Sequence, residues 1–184
     1  MNIFKKLLNH LSHIKAAKNL GCVLASDIFE VVDRSYESLK EDIGIKRPEH
    51  ELIIKLEYIS LLLWYLKNET FFLNVIEQTI YSKTEQTIYT ELKKHKFGRK
   101  ISFIRTQFNR RFFWNDNEFK TNNNKKRVLL RHMQLLNSNL GQQDELDPNL
   151  IVLGYVIESE YKNISTKRKE FLNADKFHYD TERL

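Results

Sequence analysis

Six of the ten arginines, Arg99, Arg105, Arg110, Arg111, Arg127 and Arg131, fall between Lys93 and His132. A guanidinium is a planar, permanently charged fork of N–H donors that grips a carboxylate or phosphate through paired hydrogen bonds. A cluster of them is chemistry for holding an anion rather than for breaking a bond. The same stretch contains thirteen of the thirty Lys and Arg residues against two acids, Asp116 and Glu118, and threads seven large aromatics among them. The rest of the chain has seventeen bases and twenty-two acids, so an acidic-leaning body carries one strongly basic segment. Such an asymmetry implies either an anionic partner or a fold against the protein's own acids.

Bond-breaking chemistry has thinner support. Ser, His and Asp all occur, but without the Gly-flanked turn that exposes a nucleophile. There is no dinucleotide fingerprint or phosphate-binding loop, and no zinc-finger spacing, RNA-binding sheet signature or helix-turn-helix accompanies the charge. Cys22 is the only cysteine, which excludes an internal disulfide and a cysteine-rich zinc site and fits a reducing cytosol. His10 and His13 stand one helical turn apart with no acid beside them to complete a metal site. No cofactor and no metal are expected. Arg127 and His132, with four residues between them, have a spacing that resembles the Arg-x4-6-His motif of the all-helical HEPN ribonucleases. The resemblance covers six residues, and Val128 stands where that family has a polar residue. It would make Arg127 and His132 catalytic, the two meeting across a dimer.

These side chains must be positioned by helices. With five Gly and two Pro in 184 residues the chain has too little turn material for a β-sandwich, and its length suits a single domain over residues 1–184. Phe4, Leu7, Leu8, Leu11 and Ile14 recur at helical spacing, with Gly21 placed as a left-handed cap. A second helix presents Ile28, Val31, Val32, Tyr36 and Leu39 on one side and Asp27, Glu30, Asp33, Glu37 and Glu41 on the other, ending at Gly44. Those acids form a solvated face or pair with the basic segment. Pro48 opens a third helix, very apolar over residues 48–67 and therefore expected at the centre. Glu57 falls between Trp64 and Leu61 on that helix, where its charge needs a partner.

The pentapeptide Glu-Gln-Thr-Ile-Tyr occurs at 77–81 and again at 85–89. Ser82 and Glu85 have the spacing of a capping box, which predicts two helices meeting near Ser82. Phe97, Ile101, Ile104, Phe108 and Phe112 form an inward stripe, which turns Arg99, Phe103 and Arg110 together onto the opposite side. Phe112, Phe113 and Trp114 cannot all face inward. Residues 115–124 read as a loop, followed by a helix over 125–140 closed by Gly141, a polar link over 142–145, and a helix started by Asp147 and Pro148. Ser165 is placed to cap a last helical piece, and the tail from Phe177 frays unless it docks.

The sequence thus predicts an all-α, single-domain bundle of about six to eight helices. It is expected to be cytoplasmic, with no segment long enough to span a bilayer, and most simply a non-catalytic interaction protein of the inhibitor or immunity type. Its acidic partner would be held by Arg99, Phe103, Arg105, Arg110, Arg111, Lys125, Lys126, Arg127 and Arg131. Sequence-independent nucleic-acid binding through the same residues is the alternative.

Overall fold

The computed structural model describes residues 3–43, 48–70, 74–94, 101–140 and 147–174. These form six helices: α1 (Ile3–Leu39), α2 (Pro48–Thr70), α3 (Val75–Leu92), α4 (Ile101–Asn122), α5 (Lys125–Asn139) and α6 (Pro148–Ala174). Among the described residues there is no strand. Gly44, Phe97, Arg99, Gly141, the 142–145 link and the tail from Phe177 lie outside them. Phe4, Leu7, Leu8, Ile101 and Phe103 lie in helices, with only the backbone described.

Nine consecutive residues of α2, Tyr58 to Leu66, are buried, so this helix is enclosed on every side over that span, and it packs against each of the other five. Its polar tips are met by neighbours. The Tyr58 hydroxyl donates to the Leu150 carbonyl at 2.8 Å, tying α2 to the first turn of α6. The Trp64 indole N–H donates to Asp116 Oδ1 at 2.7 Å, and Phe119 packs edge-on against the same ring.

Four expected boundaries are not boundaries. Gly21 does not cap a helix, because α1 runs through it for 37 residues. A Cβ at that position would stand 2.8 Å from the Ile80 carbonyl oxygen and 2.8 Å from Lys83 Cβ. The missing side chain lets α1 and α3 approach, and Ala17, Leu24, Ala25 and Ile28 bury the same side of α1. The repeated pentapeptide belongs to one helix, not two. Asn74, rather than Ser82, caps α3 by accepting from the amides of Ile76 and Glu77 at 3.0 and 3.1 Å. The threonines do not break α3, since Thr79, Thr84, Thr87 and Thr90 donate their hydroxyls to carbonyls four residues back.

The 115–124 loop is likewise reduced to Asn123 and Asn124. Asn115 is buried and Asp116 and Phe119 are held by Trp64, so tertiary contacts carry α4 past the point where local polarity would end it. Asn123 takes a left-handed φ of 46°, which Asn tolerates better than most residues. Asn124 then caps α5 by accepting from the Lys126 amide at 2.9 Å. Ser165 is buried within α6 and donates to Glu69 Oε2 at 2.8 Å instead of starting a helix. Asp147 does cap α6, accepting from the Asn149 amide at 2.8 Å.

Candidate interaction surface and its adjoining cleft

α4 and α5 form a hairpin closed by the two asparagines, and both pack on α2. Ile104, Phe108 and Phe112 bury the inner side of α4. The expected basic residues divide between several directions. Arg105 and Arg110 are exposed, and each lies over an aromatic ring: Arg105 over Tyr89 at 4.6 Å, Arg110 over Trp114 at 4.9 Å. Lys126, Arg127 and Arg131 are exposed on α5, as is Lys120 on α4. Arg131 donates to Gln134 Oε1 at 3.2 Å. Phe113, one turn from Arg110, is 62% exposed, the most exposed large apolar side chain among the described residues. Sequence reading singled out Phe103 as the outward aromatic; the signal for Phe113 was the Phe112–Phe113–Trp114 run, which leaves one ring without a core position.

Lys125 turns to the other side of the hairpin, 3.3 Å from Glu69 and over the Tyr65 ring. Arg111 is buried and does not belong to an exposed patch. It binds Glu57 in a fork, Nε lying 2.8 Å from Oε2 and 3.0 Å from Oε1, so the partner that Glu57 requires comes from α4. Asn139 adds a side-chain N–H to Oε1 at 3.2 Å.

His132 lies beneath this pair with no exposed surface. Its Nε2 is 2.8 Å from the Glu57 carbonyl oxygen. A carbonyl only accepts, so the proton is on Nε2, leaving Nδ1, which is buried without a partner, as the bare nitrogen. Burial pushes the imidazole's pKa down, Glu57 opposes that shift and Arg111 adds to it. Arg127 points to solvent while His132 is enclosed, so within this chain the two residues of the HEPN-like spacing do not converge on one site.

A cleft of about 430 Å³ opens between α2 and α4 beside the ion pair. Ile53, Leu56, Ile104 and Phe108 give its lining an apolar part, and Glu57, Gln107, Arg110, Arg111 and Asn139 a polar one. Neither wall residue of α2 was legible as a site, because an isoleucine and a leucine on an apolar helix carry no mark that distinguishes a cleft wall from a core contact.

Several charges elsewhere are paired between helices. Lys55 on α2 binds Asp33 and Glu51 at 3.0 and 2.8 Å. Lys167 on α6 binds Asp27 at 2.9 Å, and Arg34 on α1 binds Glu160 at 2.9 Å. The acids of α1 thus pair with α2 and α6 or within α1, not with the basic segment. Among the described residues, Arg110, Lys120, Lys126 and Arg131 have no acidic side chain within ion-pair distance. The first turn of α5 contains no acid either, although a helix N-terminus favours negative charge. Lys126 and Arg127 therefore stand where the helix itself disfavours them.

No group of three or more His, Cys, Asp or Glu able to hold a metal occurs among the described residues, and no helix among them is long and apolar enough to cross a membrane. No family model, curated protein or solved structure matches this chain.

Proposed function

We propose that the protein is a non-catalytic interaction module of the inhibitor or immunity type, acting in the cytoplasm, which holds an acidic protein partner on the outer face of α4 and α5. One observation carries this reading: Arg110, Lys120, Lys126 and Arg131 are exposed on the α4–α5 hairpin without an acidic partner among the described residues, and Phe113, one turn from Arg110, is exposed on the same hairpin. Charge of one sign speeds encounter with an oppositely charged surface. An exposed ring beside an arginine is the kind of anchor that supplies much of the affinity of a protein interface once desolvated. Phe113 and Arg110 would anchor, and Lys120, Lys126, Arg127 and Arg131 would steer. The effect on the partner would be occlusion.

Affinity capture from the source cell, followed by reconstitution with the purified partner, tests the reading. The expected result is an acidic protein whose binding is lost with Phe113→Ala and weakened by added salt. Recovery of nucleic acid alone, together with salt-sensitive binding of single-stranded RNA, single-stranded DNA or duplex that weakens in Arg110→Ala, would replace the protein partner with a nucleic acid.

A further inference from the structure

The α2–α4 cleft adjoins this face through Arg110, which is among its lining residues and is exposed. We infer that the cleft seats an aromatic or branched aliphatic side chain of the partner that is followed directly by an acidic residue. The inference rests on the protein-partner reading above and adds the chemistry the partner must present.

Two features select that chemistry. Ile53, Leu56, Ile104 and Phe108 offer a wall without hydrogen-bonding side chains, and apolar walls favour an apolar body at about 25 cal/mol per Å² removed from water. A volume of about 430 Å³ lies within the range of ligand-binding clefts, roughly 300–1,000 Å³, and has room for one large side chain with its flanking backbone. The charge then sets the neighbouring residue. Glu57 and Arg111 satisfy one another, which leaves Arg110, whose guanidinium has no acidic partner among the described residues, as the net charge of the lining. A carboxylate next to the seated ring would meet Arg110 there, and a basic residue in its place would be repelled.

The test is titration of the full-length, ¹⁵N-labelled chain with the acetylated, amidated tetrapeptide Ser-Phe-Asp-Ser, alongside Ser-Phe-Asn-Ser and Ser-Ala-Asp-Ser. Expected are shifts concentrated on the Gln107 and Asn139 side-chain amides and the Ile104 and Arg110 backbone, with Ser-Phe-Asp-Ser binding at least ~10-fold more tightly than either comparison peptide, a difference worth about 1.4 kcal/mol. Arg110→Gln should erase the preference for Asp over Asn while leaving the spectrum otherwise that of the folded protein. Gln107→Trp should fill the cleft and abolish binding.

Shifts confined to other surfaces, equal affinity for the three peptides, or no binding would overturn the inference. Lys126→Glu/Arg131→Glu separates it from the reading on which it rests. If that variant loses the partner while the peptides fail to seat, the face stands and the cleft falls. If the peptides seat but the variant keeps the partner at full affinity, the face falls.

Discussion

Glu57 shows what one carboxylate requires when a helix carries it into a packed core. Its charge is met by the fork of Arg111 and by the Asn139 amide, and the arginine retains only 6% of its side-chain exposure. Removing one member leaves the other charged and poorly solvated, which typically costs about 3–5 kcal/mol, whereas replacing both by apolar groups is often neutral or stabilising. Glu57→Gln and Arg111→Met should each lower the free energy of urea unfolding by several kcal/mol, and Glu57→Leu/Arg111→Met should recover most of that loss. A double variant as unstable as the sum of the singles would refute the pairing. The need for a partner was legible in the sequence, from an acid that helical placement sets between Trp64 and Leu61. Its identity was not, because Arg111 is one of six arginines in its segment and the rotation of α4 decides which of them turns inward. His132 adds a pH dependence. Its folded pKa is lowered by burial, so below its ordinary value of about 6.5 the unfolded chain takes up a proton that the folded chain resists, and stability falls as pH drops through and below that point. Unfolding midpoints measured from pH 7.5 downward should therefore decline, and His132→Gln should flatten the decline.

At the scale of the element, the two described glycines do different work from what local rules assign them. Gly21 sits mid-helix, where exchange for alanine ordinarily gains about 1 kcal/mol of helix propensity. Here the new Cβ would press on the backbone oxygen of Ile80 and on Lys83 Cβ at 2.8 Å. A backbone oxygen cannot swing aside, so α1 and α3 would have to separate along their shared face, and overpacking of that kind costs about 1–3 kcal/mol. Gly21→Ala should be net destabilising in chemical denaturation. Gly154 makes the contrast, because its Cβ would first meet the terminal methyl of Met133, the far end of a flexible side chain. Gly154→Ala should cost less than Gly21→Ala, and the reverse order would contradict the packing described. The same contrast explains which boundaries could be read. Pro48, Asp147 and the start of α5 were legible because proline and capping residues act within a turn of themselves. Gly21, Ser165 and the 115–122 stretch misled because their roles are set by partners far along the chain, Ile80 and Lys83, Glu69, and Trp64 respectively, and Ser82 misled because Asn74 already caps the helix that runs through it. Local chemistry marks where a helix can stop, and tertiary contact decides whether it does.

Over the whole molecule, several ion pairs outside the hairpin join helices, as Arg34–Glu160, Lys55–Asp33 and Lys167–Asp27 do, whereas Arg110, Lys120, Lys126 and Arg131 on α4 and α5 join none among the described residues. A net charge of +6 favours dispersing positive charge, yet Lys125, Lys126 and Arg127 follow one another at the N-terminus of α5, where the helix dipole opposes them. Lys125 is compensated by Glu69. Lys126 is exposed and has no acidic partner among the described residues, so its position is unfavourable for the fold and useful only if something outside the fold meets it. That separates two explanations by the sign of one substitution. If Lys126 belongs to the interaction face, Lys126→Glu should raise the unfolding free energy by about 0.5–1 kcal/mol, since it exchanges an adverse charge at a helix N-terminus for a favourable one, while slowing association with the partner and reducing its salt dependence. If Lys126 serves the fold instead, the same change should lower stability and leave association untouched. Urea unfolding and stopped-flow association on the one variant decide between them, and a gain in stability without any loss of association rate would remove Lys126 from the face.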